Sequence, residues 1–571
     1  MRNRHSRHGA PAAPPGLLSR PLSRRRFVEG LALGSLALGL GWPRTGSAAR
    51  APELAGNVID LVVGTQPVDF TGRARTAITL NGSLPAPLLR LKEGELLTVN
   101  VRNTLAEATS IHWHGLLLPV NMDGVPGLSF DGIAPGATFT YRFPLRQAGT
   151  YWYHSHSAMQ EAQGLYGPII IEPREPEPFH YDREHVVLLS DWSDEHPARI
   201  LAKLKKSSSY YNFHQRTFGD FLRDVKAQGF RATLADRKMW GEMRMTPTDL
   251  ADVSGYTYTY LANGTTPQGN WTGLFRPGEK VRLRFINAAA MTYFDVRIPG
   301  LKMTVVAADG QHVAPVAVDE FRLGVAETLD VIVEPRADAY TIFAQSMDRT
   351  GYARATLATA EGLSAPVPAL DERQLLTMAD MGMDHGAHGG HAGHAMPAQT
   401  HPASERHNPG VDMQATMPMP RLADPGVGLR GNGRRVLTYA DLRSAFPDPD
   451  GRAPSREIEL HLTGHMGRYV WSFDGVPFAD AAPLKLKYGE RVRLTLVNDT
   501  MMEHPIHLHG MWSDLEDEEG NFLVRKHTVS MPPGTKRSYR VTADALGRWA
   551  YHCHLLMHMD SGMFREVRVE P

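Results

Sequence analysis

The sequence has a single cysteine and no net excess of either charge, and each scarcity excludes a class of protein. Its 571 residues include only Cys553, so a framework of disulfide bonds is excluded. Basic and acidic side chains balance at 61 each. The first 49 residues carry eight arginines and one glutamate, so the remainder carries a net charge of about −7. A mildly acidic body argues against nucleic acid as a partner.

Long apolar runs are also scarce, and this decides how the first 49 residues are interpreted. Arg24 and Arg25 precede a short stretch rich in Gly, Leu and Ala, which ends in the small residues "GSAA". This pattern is typical of a twin-arginine export signal that is cleaved close to Ala49. An uncleaved membrane anchor is the alternative, but the stretch is short and rich in glycine. We therefore expect a periplasmic protein, exported by the twin-arginine route, that does not span the membrane when mature.

The sequence does contain an internal repeat. Its copies are "GELLTVNVRNT" from Gly94 (copy one), "GEKVRLRFINA" from Gly278 (copy two) and "GERVRLTLVND" from Gly489 (copy three). Alternating apolar and polar residues in each copy predict a strand with one face on a core. Further short strands, separated by Pro-Gly or Asp-Gly turns, predict an all-β protein built of Greek-key sandwiches or barrels. Three such domains are expected, at residues 50–175, 176–362 and 430–571. Each domain is named below by the copy of the repeat that it contains.

Copies one and three share two pairs of histidines. "SIHWHG" matches "PIHLHG", and "YHSH" matches "YHCH" at the same distance from a Pro-Gly pair. Residues i and i+2 of a strand point to the same face, so each His-x-His pair presents two imidazoles together. If copies one and three pack against each other, eight imidazoles converge, which suits several borderline ions such as three coppers. These residues are His112, His114, His154, His156, His507, His509, His552 and His554.

Copy three also has four residues of ligand type that copy one lacks. One thiolate, two imidazoles and a weak thioether form the ligand set of a blue-copper electron-transfer site. Cys553 lies between two of the eight histidines, so it would join the two sites through a few covalent bonds. When the matching motifs of the two copies are overlaid, Cys553 falls on Ser155, His558 on Gln160, Met563 on Leu165 and His504 on Thr109.

The four histidine motifs resemble the signatures of a known family. "HWHG", "YHSH", "HPIHLHG" and "HCHLLMHMDSGM" are similar to those of the multicopper oxidases, and the resemblance extends over nearly the whole mature chain. The stretch "HWHGLLLPVNMDGVPGLSFDG" most resembles the bacterial copper-resistance (CopA-like) oxidases. The resemblance implies cupredoxin-like domains and four coppers, one of type 1, one of type 2 and two of type 3. It also implies that four single electrons reduce O₂ to two waters.

The same resemblance implies a role for each ligand. The type 1 copper would be held by His504, Cys553 and His558, with Met563 as the axial ligand. The type 2 copper would take His112 and His507. One type 3 copper would take His114, His154 and His554, and the other would take His156, His509 and His552.

Reduction of O₂ consumes protons, so a carboxylate beside the cluster is expected to act as a relay. Asp123 lies where related oxidases keep such an acid, although the Asp-Gly pair that it begins also suits a turn. Bacterial cuprous oxidases often keep a second acid directly after the distal blue-site histidine. In this sequence Met559 stands at that position, and Asp560 comes next.

Residues 378–420, here called the Met/His segment, indicate which substrate is oxidised. The segment is rich in Gly, Ala and Pro, so we predict that it is largely disordered, within a linker that spans 363–429. Its thioethers favour Cu(I), and its imidazoles accept either oxidation state. Met502 precedes the blue site, where an electron donor must approach, whereas Thr500 stands where some cuprous oxidases keep an aspartate. The leading hypothesis is an exported oxidase that converts Cu(I) to Cu(II) with O₂ in copper resistance.

Other functions stay open. A laccase-like oxidase of phenols and aromatic amines would use the same coppers, and a copper-sequestering resistance protein would depend on the Met/His segment. A copper nitrite reductase needs fewer imidazoles than are present, so it is the least favoured. Residues 195–245 match no strand repeat and predict a helical or irregular insertion.

Overall fold

The computed structural model describes residues 52–383 and 399–571. The predicted export signal lies outside the described residues, and so do residues 384–398 of the Met/His segment. Strands make up 40% of the structure and helices 11%, which confirms the all-β class. Among the described residues, no helix is both long enough and apolar enough to cross a membrane.

Copy one lies in a pair of sheets. A four-stranded sheet has the order β3-β2-β5-β7, and a five-stranded sheet has the order β1-β4-β9-β8-β6. The repeat strand β5 buries every second residue, as its alternation predicted. The strands are β1 (Glu53–Ala55), β2 (Val58–Val68), β3 (Arg75–Leu80), β4 (Leu88–Lys92), β5 (Leu96–Asn103), β6 (His112–His114), β7 (Thr138–Pro144), β8 (Gly149–His154) and β9 (Tyr166–Glu172).

Copy two also lies in two sheets, with orders β11-β10-β13-β18-β15-β16 and β12-β20-β19-β14-β17. Its repeat strand β13 is buried on both faces, because Arg282 and Arg284 both form ion pairs with Asp330. The strands are β10 (Arg183–Trp192), β11 (Thr259–Ala262), β12 (Trp271–Leu274), β13 (Val281–Asn287), β14 (Phe294–Arg297), β15 (Met303–Ala308), β16 (Gln311–Val318), β17 (Glu320–Leu323), β18 (Thr328–Val333), β19 (Ala339–Ser346) and β20 (Tyr352–Ala358).

The insertion predicted at residues 195–245 is helical. Helices α1 (Pro197–Lys206), α2 (Phe218–Gln228) and α3 (Phe230–Glu242) follow β10. Helix α2 begins with a capping box, in which Thr217 and Asp220 exchange hydrogen bonds between side chains and backbone.

Copy three repeats the arrangement, with sheet orders β22-β21-β24-β29-β26-β27 and β23-β31-β30-β25-β28. A short helix, α4 (Leu556–Asp560), follows β30. The strands are β21 (Arg456–His465), β22 (Val470–Phe473), β23 (Leu484–Lys487), β24 (Arg491–Asn498), β25 (His504–Leu508), β26 (Ser513–Glu516), β27 (Phe522–Lys526), β28 (Thr528–Met531), β29 (Lys536–Thr542), β30 (Gly547–Cys553) and β31 (Phe564–Glu570).

The asparagine that ends each repeat strand has the same structural role in all three copies. The Nδ2 of Asn498 donates to the carbonyl oxygens of Met502 and Met531, both at 2.8 Å. Asn103 and Asn287 make the corresponding pairs of bonds in copies one and two. These bonds satisfy buried carbonyl groups and fix the loop after the strand. In copy three that loop leads directly into His504.

The described parts of the Met/His segment are ordered, so the prediction of disorder was wrong for them. Met378, Met381 and Met413 are buried. The backbone N–H of Ala415 donates to Asp499 Oδ1 at 2.7 Å, which ties residues 399–420 to copy three. Methionine is apolar and adaptable, so these side chains supply a packing surface that the Gly- and Pro-rich composition concealed.

Candidate metal centre

The two pairs of histidines in each copy begin on neighbouring antiparallel strands, and His156, His509 and His554 stand just past the ends of β8, β25 and β30. In copy one, His112 on β6 is opposite His154 on β8. In copy three, His507 on β25 is opposite His552 on β30. Because i and i+2 share a face, each strand pair directs all four of its imidazoles to one side of its sheet.

These two sides meet, so all eight imidazoles lie in one cluster between copies one and three. The ring of His112 stacks on that of His509 with centroids 3.9 Å apart, and His114 stacks on His507 at 3.8 Å. The ring of His156 contacts that of His552 edge to face at 5.1 Å. The convergence that the repeat predicted is therefore present in the structure.

The hydrogen bonds of the cluster leave ring nitrogens free to bind metal. The Nδ1 of His112 donates to the carbonyl oxygen of Asp123 at 2.8 Å, and the Nδ1 of His507 donates to that of His527 at 2.6 Å. The Nε2 atoms of both rings are buried without a hydrogen-bond partner. A metal-ligating histidine is held in this way, by a bond from its other nitrogen.

One trio of rings fits a cation closely. The Nδ1 of His509 donates to Asp123 Oδ2 and that of His552 donates to the carbonyl oxygen of Cys553, so both Nε2 atoms carry lone pairs. These Nε2 atoms are only 3.0 Å apart, and His156 Nε2 is 3.3 Å from that of His552. Ligands about 2.0 Å from one ion lie roughly 3 Å apart, so a cation between the rings would replace repulsion with coordination.

His114 has the opposite orientation to its neighbours, and a residue that the sequence did not reveal explains why. Its Nε2 lies 3.1 Å from His527 Nδ1 and 3.2 Å from Thr528 Oγ1, while its Nδ1 is buried without a partner. Burial lowers the pKa of His527 to about 4, so this ring is neutral. His527 stands outside any His-x-His pair, so the sequence carries no signal for it.

Asp123 lies at the cluster and also ends a turn. Its side chain is 1% exposed, and its Oδ2 accepts a hydrogen bond from His509 Nδ1 at 2.8 Å. Its Oδ1 lies 3.4 Å from His112 Nδ1. The residue also terminates the 3₁₀ turn Val120–Met122. Asp123 therefore has the turn position that the Asp-Gly pair predicted, and its role as a proton relay stays a prediction.

Glu161 is a second acid at the cluster, which the motif search missed. Its Oε2 lies 2.7 Å from His154 Nδ1, which donates to the carbonyl oxygen of Ser155 at 3.0 Å, and its Oε1 lies 4.0 Å from His554 Nδ1. Burial raises the pKa of its carboxyl group well above the ordinary value. In the overlay of the two copies Glu161 falls on Met559, so the acid absent from copy three has a counterpart in copy one.

The ligand-type residues specific to copy three form a compact group. Cys553 Sγ is 3.5 Å from His504 Nδ1 and 3.9 Å from His558 Nδ1, and the two Nδ1 atoms are 3.2 Å apart. Met563 is fully buried, and its carbonyl oxygen accepts a hydrogen bond from the Cys553 N–H. Helix α4 returns the chain so that His558 faces the cysteine five residues before it.

The far nitrogens of these two histidines are engaged, so both rings direct Nδ1 toward the sulfur. His504 Nε2 is 2.7 Å from the hydroxyl of Thr500. His558 Nε2 donates to Asp252 Oδ2 at 2.8 Å, and Asp252 Oδ1 is buried without a partner. A thiolate with two fixed imidazoles fits a blue-copper ion. No sequence motif pointed to Asp252, which lies in the chain between α3 and β11.

A cavity lies beside this group. Three thioethers line it, those of Met291, Met347 and Met502, together with Asp252 and Glu503. The ring of Trp471 stacks on His558, with centroids 4.0 Å apart. The imidazole of His558 is thus held between an aromatic ring and a carboxylate at the cavity wall.

Comparison with known proteins agrees with the site. Family models described as multicopper oxidase match residues 62–176, 183–362 and 451–571. Copper resistance protein A of Pseudomonas syringae pv. tomato is 63% identical, over 96% of this chain and 99% of that protein. Copper resistance protein A of Escherichia coli has the same identity and coverage. Multicopper oxidase MmcO of Mycobacterium tuberculosis is 30% identical over 95% of this chain and 96% of that protein.

Solved structures share the fold. Fet3p, a multicopper oxidase that functions in iron import, matches with a TM-score of 0.64 at 18% identity, covering 91% of each chain. The laccase of Botrytis aclada matches with a TM-score of 0.62 at 21% identity, covering 91% of this chain and 89% of that one. These matches confirm the cupredoxin-like fold. The chain therefore belongs to the multicopper oxidase family, as its motifs predicted, and is an oxidoreductase with copper as its cofactor.

Proposed function

We propose that this protein is an exported oxidase that converts Cu(I) to Cu(II), reduces O₂ to water and thereby protects the cell from copper. In the balanced reaction, four Cu(I) ions, one O₂ and four protons give four Cu(II) ions and two waters. The relatives named copper resistance protein A support the physiological setting. Residues 1–49 support export by the twin-arginine route, which replacement of Arg24 and Arg25 by lysine should block.

The observation that carries the choice of substrate is the cavity beside His558. Met291, Met347 and Met502 offer thioethers, which favour Cu(I) over Cu(II), and Asp252 offers a carboxylate. Asp252 also accepts the hydrogen bond of His558. A Cu(I) ion bound in this cavity would therefore lie beside Asp252, and the hydrogen bond between Asp252 and His558 would connect it to the proposed blue-copper site.

We further propose that four copper ions are bound as the family resemblance implies. The type 1 copper would be bound by His504, Cys553, His558 and Met563. The type 2 copper would be bound by His112 and His507. The type 3 coppers would be bound by His114, His154 and His554, and by His156, His509 and His552. When bound, copper supplies one-electron storage at the blue site and reduction of O₂ at the cluster.

The residues of the chain position these ligands and conduct charge. Cys553 is joined through the backbone to His552 and His554, and we propose that it carries electrons from the blue site to the cluster. Asp123 holds the Nδ1 proton of His509, and its place beside the cluster supports the role of a proton relay. The carbonyl oxygen of Ser155 and the carboxylate of Glu161 both face His154 Nδ1, which leaves its Nε2 to point into the cluster.

The experiment is oxygen consumption by the copper-loaded mature protein, with Cu(I) or a simple phenol as the only reductant. We expect much faster turnover of Cu(I). Met502→Leu and Met291→Leu keep the volume nearly constant and remove the thioether, so Cu(I) turnover should fall by about 10-fold or more while phenol turnover is kept. Met303→Leu, in the core of copy two, is the matched control. If the unmodified protein and all variants turned over the phenol faster than Cu(I), the proposal would be overturned in favour of a laccase-like enzyme.

A further inference from the structure

A second group of ligand-type side chains lies on copy three, outside both proposed copper centres. The Met/His segment contributes His401 and Glu405, the latter in a short 3₁₀ turn. Strand β21 contributes His461, and the loop after β24 contributes Asp499. The segment therefore completes a cluster that the domain begins.

The donor atoms of the group converge. Asp499 Oδ2 lies 2.6 Å from His461 Nδ1 and 3.1 Å from His401 Nδ1. Glu405 Oε2 lies 3.3 Å from His401 Nδ1, and its Oε1 lies 3.6 Å from His461 Nδ1. Atoms about 2.0 Å from one ion lie roughly 3 Å apart, so the four groups have the spacing of a coordination shell.

Hydrogen bonds leave one buried oxygen of this group without a partner. Each Nδ1 can donate one proton, and Asp499 Oδ2 is the nearer acceptor of both. Glu405 is 3% exposed, and its Oε1 points at His461 Nδ1 without a hydrogen-bond partner. A buried carboxylate oxygen without a partner is costly, and a cation between the four groups would compensate it.

Three of the four candidate ligands also make hydrogen bonds or close contacts outside the cluster. His461 Nε2 lies 3.2 Å from Glu459 Oε1, an arrangement that leaves Nδ1 to face the cluster. The Nε2 of Gln414 donates to Glu405 Oε2 at 2.8 Å, and the backbone of Ala415 donates to Asp499 Oδ1 at 2.7 Å. Outer bonds of this kind orient metal ligands in proteins.

We propose that His401, Glu405, His461 and Asp499 bind one divalent cation of borderline character and so fasten the Met/His segment to copy three. Imidazole and carboxylate without thioether favour Cu(II) over Cu(I), the reverse of the preference in the cavity beside His558. Among the first-row divalent ions, Cu(II) binds most tightly to nitrogen and oxygen ligands. The choice of Cu(II), the product of the oxidation, rests on the proposed function. The site itself does not.

The test uses the copper-loaded full chain and two probes. The protein is incubated with Cu(II), desalted and analysed for copper per chain, and a separate sample is titrated calorimetrically with Zn(II). The variants are His401→Gln and Glu405→Gln. The control is His407→Gln, which alters an exposed histidine of the same segment. We expect the unmodified protein and the control to retain one more Cu(II) than the two variants, and their Zn(II) affinity to be at least about 10-fold higher.

Equal copper content and equal Zn(II) affinity in all four proteins would overturn the proposal and leave a network of ion pairs. The blue absorption and the thermal midpoint of each variant establish that it has folded, and Glu405→Gln is nearly isosteric. Zn(II) does not depend on oxidase chemistry. Loss of Zn(II) binding in the variants would therefore uphold the site even if Cu(I) were not the substrate.

Discussion

Copies one and three present the same three positions with different side chains, and the difference separates a closed core from a proposed metal site. In copy one, the hydroxyls of Thr109 and Ser155 both donate to Gln160 Oε1, at 2.7 and 3.0 Å. The Nε2 of Gln160 donates to the carbonyl oxygen of Ala108 at 2.9 Å. The trio is satisfied internally, so it has no need of an ion.

In copy three the corresponding residues are His504, Cys553 and His558. Their facing atoms are two Nδ1 atoms and a thiol, while both Nε2 atoms are occupied by Thr500 and Asp252. The loops that carry the two trios are fixed by equivalent asparagines. The scaffold therefore positions three side chains in both copies, and we propose that their identity decides whether a metal binds.

Cys553→Ser gives copy three the residue of copy one and should have the largest effect. The hydroxyl is a poor ligand for a blue-copper ion, so the blue absorption and Cu(I) turnover should fall to background. Copper analysis should show one ion lost and the cluster retained. Ser155→Ala, the matched change in copy one, should alter neither property. Persistence of the blue absorption in Cys553→Ser would contradict the assignment of the cysteine.

Glu161→Leu tests the acid that copy one supplies and copy three lacks. Loss of the carboxylate 2.7 Å from His154 Nδ1 should lower the copper affinity of the cluster or the turnover by about 10- to 100-fold, while the blue absorption is unchanged. Glu161→Gln keeps an acceptor oxygen and should recover most of the affinity. Equal copper retention by Glu161→Leu and the unmodified protein, measured against a chelator, would show that this carboxylate does not position the ligand.

Asp252→Asn should have a smaller effect, confined to the transfer of electrons from Cu(I) to the blue site. The amide oxygen still accepts from His558 Nε2, but the negative charge beside the thioether cavity is lost. We expect Cu(I) turnover to fall by about 10-fold, with less change in phenol turnover. Asp249→Asn, at a buried aspartate hydrogen-bonded to Asn212, is the control. An equal loss with both reductants would indicate damage to the blue site instead of the substrate cavity.

Asp412→Asn should have the smallest effect, on the stability of the segment that packs on copy three. Burial raises the pKa of Asp412 from 3.8 to about 7. Between these values the folded protein holds a proton that the unfolded chain releases, so this group makes stability fall as pH rises from about 4 to about 7. The asparagine variant should show a smaller fall in thermal midpoint between pH 5 and pH 8. An identical fall would rule out titration of this group.

Features that depend on local periodicity could be predicted from the sequence. Alternation gave the strands, and the i, i+2 spacing gave the side to which each His-x-His pair points. The repeat matched the motifs of copies one and three, and the residues specific to copy three followed from that match. The acids and the histidine around the metal centres could not be found in this way. They approach the candidate metal centres from a loop, a 3₁₀ turn and the junction of two strands, which share no spacing with the motifs. These residues are Asp252, Glu161 and His527.

The sequence by itself determined the chemistry of the donors, because ligand type and strand register are local properties of the chain. Only the tertiary structure decided which nitrogen each ring offers, because that choice depends on acceptors distant in the chain, such as Asp123 for His509 and Asp252 for His558. It also decided that the described parts of the Met/His segment are ordered. Their order comes from packing and hydrogen bonds to copy three, which composition does not record.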